Sequence, residues 1–196
     1  MGLVIKGSTS GQITVDAPAV AGTNTLTLPA ETGTLAQTTT GLIEVDMFRL
    51  TSPTSDGANA DITANLERCD DASFAKIGTG MSESSGIFSF PRTGVYEVKV
   101  QALVDVRSGD GTAEVQTKVT INNSDYDITS VAIGGDDSGT NGVQITGYGQ
   151  CFVNVTDTSN VKVKFTTNSF GGSSHLEGSS DQNNTSFSFI RLGDSQ

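Results

Sequence analysis

The stretch SSGIFSFPRTGVYEVKVQALV, residues 84–104, decides the fold. From Val95 to Val104 one face carries Tyr96 and small apolar residues, and the other carries charged or polar ones. Such alternation with a period of two is typical of a half-buried antiparallel strand. Ahead of it, residues 91–94 read Pro-Arg-Thr-Gly, which predicts a tight turn because proline fixes φ and glycine accepts positive φ. The stretch therefore predicts a strand, a turn and a longer strand.

The same alternation recurs along the rest of the chain, between clusters of Gly, Asp, Asn and Ser. It predicts strands near 43–50, 62–68, 73–77, 86–90, 94–106, 113–122, 126–133, 143–155, 161–167 and 186–192. Residues 60–69 also fit a short helix. Val115, Thr117, Val119 and Ile121 are expected to share one buried face. Short strands at this spacing indicate an all-β sandwich or jelly roll.

The amino-acid composition and net charge argue against some classes of protein and favour others. The 196 residues include 23 glycines, and the net charge is −11. An acidic balance argues against binding to nucleic-acid phosphates, which attract Lys and Arg clusters, and fits a particle component or a cation binder. We expect no membrane partner and no secretory signal, because no apolar run is long enough. The two cysteines are expected to be reduced core thiols, with Cys151 on the face of Val153 and Val155.

Residues 1–40 differ in composition from the rest and predict a separate N-terminal arm ahead of a head domain at 41–196. The arm holds two short alternating runs, QITVDA and TLTLPA. Ile13 and Val15 share a face of the first run, and Leu26 and Leu28 share a face of the second. Two strands alone are marginally stable in water, so this arm is expected to find its partner elsewhere.

Residues 84–104 resemble the C1q and tumour-necrosis-factor (TNF) jelly rolls, in which Gly-x-Phe-x-x-Pro-x-x-Gly-x-Tyr precedes a long strand. Gly86, Phe88, Pro91, Gly94 and Tyr96 match that pattern. The closing TSFSFIRLG is similar to the last strand of that fold. The resemblance implies a homotrimer, in which the following residues belong to the core or the trimer axis: Phe88, Phe90, Pro91, Gly94, Tyr96, Phe187 and Phe189. A collagen-like Gly-x-y stalk is not part of the sequence.

Residues 7–36, GSTSGQITVDAPAVAGTNTLTLPAETGTLA, resemble a segment of tailed-bacteriophage structural proteins that precedes fibre, tail or capsid-decorating modules. This second resemblance implies a virion protein, on the capsid or on the tail. It also argues against the signalling roles of animal C1q-like proteins.

The sequence offers little support for a catalytic or ligand-binding site. The single histidine, His175, is expected to be a solvent-exposed loop residue, and we predict no enzyme activity, cofactor or metal. Asp70 and Asp71, and the cluster of Asp136, Asp137, Ser138 and Asn141, offer the oxygens that calcium takes, but turn residues of this kind are usually just solvated. The glycines of KIGTGMSESSG are not followed by the Lys and Ser/Thr of a phosphate loop.

The leading hypothesis is a trimeric capsid decoration or cement protein on the outer surface of a virion, made in the host bacterial cytoplasm. Ile13, Val15, Leu26 and Leu28 would anchor the arm to the phage major capsid protein by strand addition. The alternative is a tail-fibre or receptor-binding protein, whose arm docks to a tail protein and whose head contacts a host surface glycan.

Overall fold

The computed structural model describes residues 3–6, 12–15, 41–107, 112–135 and 142–196. These residues contain no helix, and so none that could cross a membrane. The chain separates into two units, residues 1–38 and 39–196. In the first unit, β1 (Leu3–Lys6) and β2 (Gln12–Val15) form an antiparallel hairpin in which Leu3 lies opposite Val15.

The second unit contains eleven strands among its described residues. They are β3 (Val45–Leu50), β4 (Leu66–Arg68), β5 (Ser82–Ser84), β6 (Ile87–Ser89), β7 (Gly94–Val106), β8 (Ala113–Thr120), β9 (Asp127–Gly134), β10 (Val143–Val155), β11 (Lys162–Asn168), β12 (His175–Leu176) and β13 (Ser186–Gly193). One sheet has the order β10-β7-β13-β3-β4, with β12 also paired to β7, and the other has the order β5-β6-β11-β8-β9. Every pairing is antiparallel, and the predicted all-β sandwich is confirmed.

Aromatic rings from both sheets meet at the centre of the core. Phe88 of β6 packs edge-on against Phe48 of β3 at 5.2 Å and against Phe165 of β11 at 5.6 Å, measured between ring centroids. Phe187 of β13 lies 4.3 Å from Phe165. Burying these rings removes their area from water, and the edge-on pairs add favourable quadrupole contacts. This cluster holds the two sheets together.

The turn ahead of β7 explains the residue pattern of the opening stretch. Gly86 and Gly94 have φ angles of +82° and +149°, which residues other than glycine rarely adopt. A Cβ at Gly86 would collide with the carbonyl oxygen of Ile62, and one at Gly94 would collide with the guanidinium of Arg191. Glycine is therefore required at residue 86, in the turn between β5 and β6, and at residue 94, where β7 begins.

Tyr96 locks the same turn from inside the core. Its hydroxyl donates a hydrogen bond to the carbonyl oxygen of Arg92 at 3.0 Å, and its ring lies 4.7 Å from that of Phe90. Burial, assisted by the negative charge of Glu44, raises the pKa of Tyr96 to about 12. The side chain is therefore held in its neutral form.

The strand predictions are correct where apolar and polar residues alternate over many positions. The predicted bounds of β7 and β10 match the observed ones, and Tyr96, Val98, Val100, Ala102 and Val104 are buried. The predicted strand at 73–77 is wrong, because only an isolated bridge between Ile77 and Val45 forms there. Of residues 62–68, only Leu66–Arg68 is a strand, and the helix alternative is also wrong. Ile121 is 77% exposed because β8 ends at Thr120.

Both cysteines are free thiols. Cys69 is buried, and its Sγ donates to the side-chain oxygen of Asn183 at 3.2 Å. Burial raises the pKa of the Cys69 thiol. Cys151 is half-buried and packs against the core. Both thiols therefore belong to the packing of the head.

Candidate functional site

The sheet that contains β7 turns one face away from the core, and we call this side the outer face. Along β10, Val153 and Val155 point into the core while Tyr148 and Phe152 point outward. The Tyr148 and Phe152 side chains are 66% and 65% exposed. Aromatic rings are expensive to leave in water, so two of them on the same face of one strand mark a candidate interaction surface.

The strand register defines the surroundings of these two rings. Phe152 lies opposite Glu97 of β7, and Ile190 of β13 lies on the other side of Glu97. Tyr148 lies opposite Gln101. A hollow of about 290 Å³ is lined by Lys99, Tyr148, Gly149 and Gln150. The outer face thus combines exposed rings with polar groups.

Sequence reasoning missed Tyr148 and Phe152 as functional candidates. The signal was present, since both fall on the polar face of a strand whose other face carries Cys151, Val153 and Val155. Two aromatic residues on the polar side of an alternating strand mark a candidate interaction surface.

The aromatic residues that the C1q and TNF resemblance assigned to the core or the trimer axis lie in the core. The following side chains are at most 3% exposed: Phe88, Phe90, Tyr96, Phe187 and Phe189. Pro91 and Gly94 belong to the turn before β7. In the predicted anchoring arm, Ile13 and Val15 lie in β2, whereas Leu26 and Leu28 lie outside the described residues.

The Asp70 and Asp71 carboxylates, considered for calcium, pair with a buried arginine. Arg49 Nη2 lies 2.6 Å from Asp70 and Nη1 lies 2.7 Å from Asp71, while Nε donates to Glu67 at 2.7 Å. The hydrogen bond to Glu67 raises the pKa of Arg49, although burial acts in the opposite direction. The guanidinium thus occupies the position between the Asp70 and Asp71 carboxylates where a calcium ion would have to bind. The other calcium candidates, Asp136, Asp137, Ser138 and Asn141, lie outside the described residues.

The glycine-rich segment at 76–86 binds carboxylates of the chain itself. The N–H of Gly80 donates to Glu44 Oε2 at 3.0 Å, and the N–H of Met81 donates to Asp46 Oδ2 at 2.7 Å. Arg92 and Arg68 lie 2.8 and 2.9 Å from these two carboxylates. The backbone donors that could bind a phosphate are thereby used for internal anions.

The prediction that His175 is a solvent-exposed loop residue is wrong. His175 lies in β12 opposite Asp105 of β7, and its side chain is only 17% exposed. The cause is a tertiary pairing, because β12 continues the edge of β7 beyond the end of β13. Sequence pattern alone gives no sign of a two-residue strand.

The two antiparallel sheets, with β7 between β10 and β13, form a jelly roll of the TNF and C1q type. The structure of Eiger TNF from S. frugiperda matches with a TM-score of 0.59 at 14% identity, covering 80% of this chain and 96% of that chain. Murine APRIL at pH 5.0 matches with a TM-score of 0.56 at 14% identity, covering 76% and 98%. Murine APRIL at pH 8.5 gives 0.54 at 13% identity, with the same coverage. No protein-family model and no curated protein matches the chain.

These likenesses show the fold alone, because the identities are low. They confirm the predicted jelly-roll fold.

Proposed function

We propose that this chain is a non-enzymatic structural protein of a tailed-bacteriophage virion. In this proposal the heads form a homotrimer, and the arm at residues 1–40 attaches the trimer to the outer capsid surface as a decoration or cement protein. The resemblance of residues 7–36 to phage structural proteins supports the assignment to a virion. The jelly-roll fold supports a head of the kind that forms homotrimers.

The observation that best supports a homotrimer is the pair of exposed aromatic side chains on the outer face. Tyr148 and Phe152 stand about two-thirds exposed on one strand, and Leu192 of β13 is half exposed on the same sheet. Large aromatic side chains bury roughly 150–250 Å² each when they are covered. Packing this face against copies of itself about a three-fold axis would cover the rings, as the C1q and TNF resemblance implies.

The arm supports attachment by a second argument. Its described part is the hairpin of β1 and β2, and a hairpin alone gains little stability in water. Pairing with a sheet edge of the phage major capsid protein would satisfy further backbone groups and bury apolar side chains. Three arms on one trimer would bind together, so weak individual contacts would add up to firm attachment.

The hollow beside Tyr148 favours the second candidate function, a tail-fibre or receptor-binding protein. An aromatic ring next to Lys99 and Gln150 is a surface on which a host glycan could stack and form hydrogen bonds. In this alternative the arm docks to a tail protein, and the hollow stays open to solvent.

Sedimentation of the full chain tests the trimer. The wild-type chain should sediment as a trimer, and the double variant Tyr148→Ser with Phe152→Ser should sediment as a monomer with an unchanged circular dichroism spectrum. A matched control is Ile121→Ser with Ile128→Ser, which removes two exposed apolar side chains on the other sheet and should leave the trimer intact. A monomeric wild type, or a double variant that stays trimeric, would contradict the proposed face.

The number of copies per purified virion, measured by quantitative mass spectrometry against the major capsid protein, separates the two functions. Abundance comparable with the capsid protein supports decoration, and a handful of copies supports the tail. Under the decoration hypothesis, a full chain carrying Ile13→Asp should fold normally and be depleted from particles.

A further inference from the structure

Three side chains with metal-ligating atoms meet on the outer face at the end of β7. The register places His175 of β12 opposite Asp105, and the N–H of Glu177 donates to the carbonyl oxygen of Leu103 at 2.8 Å. One ligand atom from each of Asp105, His175 and Glu177 lies within 4.8 Å of the other two. Antiparallel pairing thus brings an imidazole and two carboxylates from distant parts of the sequence to one point.

The orientation of the imidazole is set from outside the cluster. His175 Nδ1 lies 3.0 Å from Asp56 Oδ1 and 3.2 Å from the carbonyl oxygen of Ser173. Both neighbours accept hydrogen bonds, so we assign the proton of the neutral ring to Nδ1. Nε2 then carries a lone pair. A carboxylate on the outer ring nitrogen is the arrangement that orients histidine ligands in metal sites.

The group that faces Nε2 is also electron-rich. Glu177 Oε1 lies 3.5 Å from Nε2, and Gln144 donates to the same oxygen at 3.1 Å. The lone pairs of a neutral imidazole and a carboxylate repel each other unless a cation lies between them. A positive charge is therefore needed between these two atoms, and either a second proton on the ring or a bound cation can supply it.

The net charge of the side chains around the ring indicates how large a positive charge would balance them. Three carboxylates surround the ring, those of Asp56, Asp105 and Glu177, and one guanidinium, Arg107, lies 2.6 Å from Asp105 Oδ2. With neutral His175 the group has a net charge of −2. The Asp105 side chain is only 7% exposed, so water screens its charge poorly. A divalent cation would balance the cluster.

We propose that Asp105, His175 and Glu177 form a binding site for a divalent transition-metal ion, with zinc as the best match. Zinc accepts imidazole nitrogen together with carboxylate oxygen, whereas calcium takes oxygen ligands only. Zinc–ligand bonds of about 2.1 Å place tetrahedral ligands about 3.4 Å apart. The separation of 3.5 Å between His175 Nε2 and Glu177 Oε1 already fits that geometry.

The remaining adjustment is small. Arg107 holds Asp105 Oδ2, so Oδ1 is the proposed ligand. The three ligand atoms, which lie within 4.8 Å of one another, would draw together around the ion. Water fills the fourth position. The bound ion cross-links β7 to the connection between β11 and β13, and this stabilising role holds whether or not the proposed virion function is correct.

The single histidine of the chain makes the test unambiguous. In full-length protein stripped with EDTA and then exchanged into buffer, the imidazole ¹⁵N resonances are recorded while ZnCl₂ is added at constant pH. We expect saturation near one equivalent, a change in the Nε2 resonance, a retained proton on Nδ1 and full reversal by EDTA. Zinc binding that leaves the imidazole resonances unchanged, or no binding at all, would overturn the proposal.

Thermal unfolding gives the matched comparison. At free Zn²⁺ about 100 times Kd, the wild-type Tm should rise by about 5–10 °C, because only the folded state binds the ion. Glu177→Gln should lose most of that rise, and Asp127→Asn, which removes an exposed carboxylate on the other sheet, should keep it. Equal rises in the wild type and Glu177→Gln would place the ion elsewhere. Glu177→Gln is nearly isosteric, and its circular dichroism spectrum confirms the fold.

Discussion

Replacing Tyr96 by phenylalanine should produce opposite effects on stability at neutral and at alkaline pH. At neutral pH the variant loses the hydrogen bond from the hydroxyl to the carbonyl oxygen of Arg92. A neutral hydrogen bond of this kind contributes about 1 kcal/mol, so Tyr96→Phe should be less stable by about that amount. The ring itself stays in place, because phenylalanine fills nearly the same volume.

The alkaline effect follows from the raised pKa of Tyr96, which is about 12 in the folded chain against an ordinary value of 10.0. The unfolded chain loses the phenolic proton first, so the stability due to neutral Tyr96 is complete below about pH 10 and is lost as the pH rises through about 12. At pH 11 this loss amounts to about 1.4 kcal/mol. Phenylalanine has no such proton, and the two stability curves should cross close to pH 11.

Urea unfolding followed by far-ultraviolet circular dichroism, at one protein concentration across this pH range, measures the difference between the two proteins. Other groups that titrate at alkaline pH are common to both and cancel in that difference. A constant gap between wild type and Tyr96→Phe from neutral pH upward would refute the burial of the Tyr96 hydroxyl.

Three further substitutions test the packing. Phe88→Ala should cost on the order of 3–5 kcal/mol in urea unfolding, because it opens a cavity at the centre of the aromatic cluster. Gly94→Ala should cost more than about 2 kcal/mol, since the backbone conformation and Arg191 both oppose a Cβ, while Gly193→Ala has open space and should cost little. Arg49→Met should lower the Tm and speed hydrogen exchange at residues 67–71, because three carboxylates lose their shared partner, and salt should restore part of the loss. An unchanged exchange rate would show that this pairing does not hold the segment.

Alternation predicted the parts of the fold that depend on long strands. β7 and β10 each carry 13 residues of nearly uninterrupted alternation, and a single pattern of burial was enough to define them. Residues 73–77 were also predicted as a strand, but only Ile77 pairs with β3, through an isolated bridge to Val45, and a strand needs hydrogen-bonding partners along its length.

The candidate sites depended on information that local pattern does not hold. Asp56, Asp105 and His175 come together only through the pairing of β12 with β7 and the contact of a separate loop. Asp70 and Asp71 have the composition of solvated turn residues, and their partner Arg49 lies on β3. Such charge clusters follow from strand register, which turn lengths and tertiary packing determine.

The position of β7 has a consequence for how the head is made. β7 pairs along its whole length with β10 and on its other edge with β13 and β12, all of which follow it in the sequence. β3 also pairs with β13, so this pairing too can form only after β13 has been synthesised. As the ribosome synthesises the chain, the long and largely apolar β7 leaves the exit tunnel well before its partners, and its sheet can close only when β13 has emerged. Such late, non-local closure is expected to make folding slow and dependent on an intact β13, so a nascent chain stalled before β13 would be prone to aggregate.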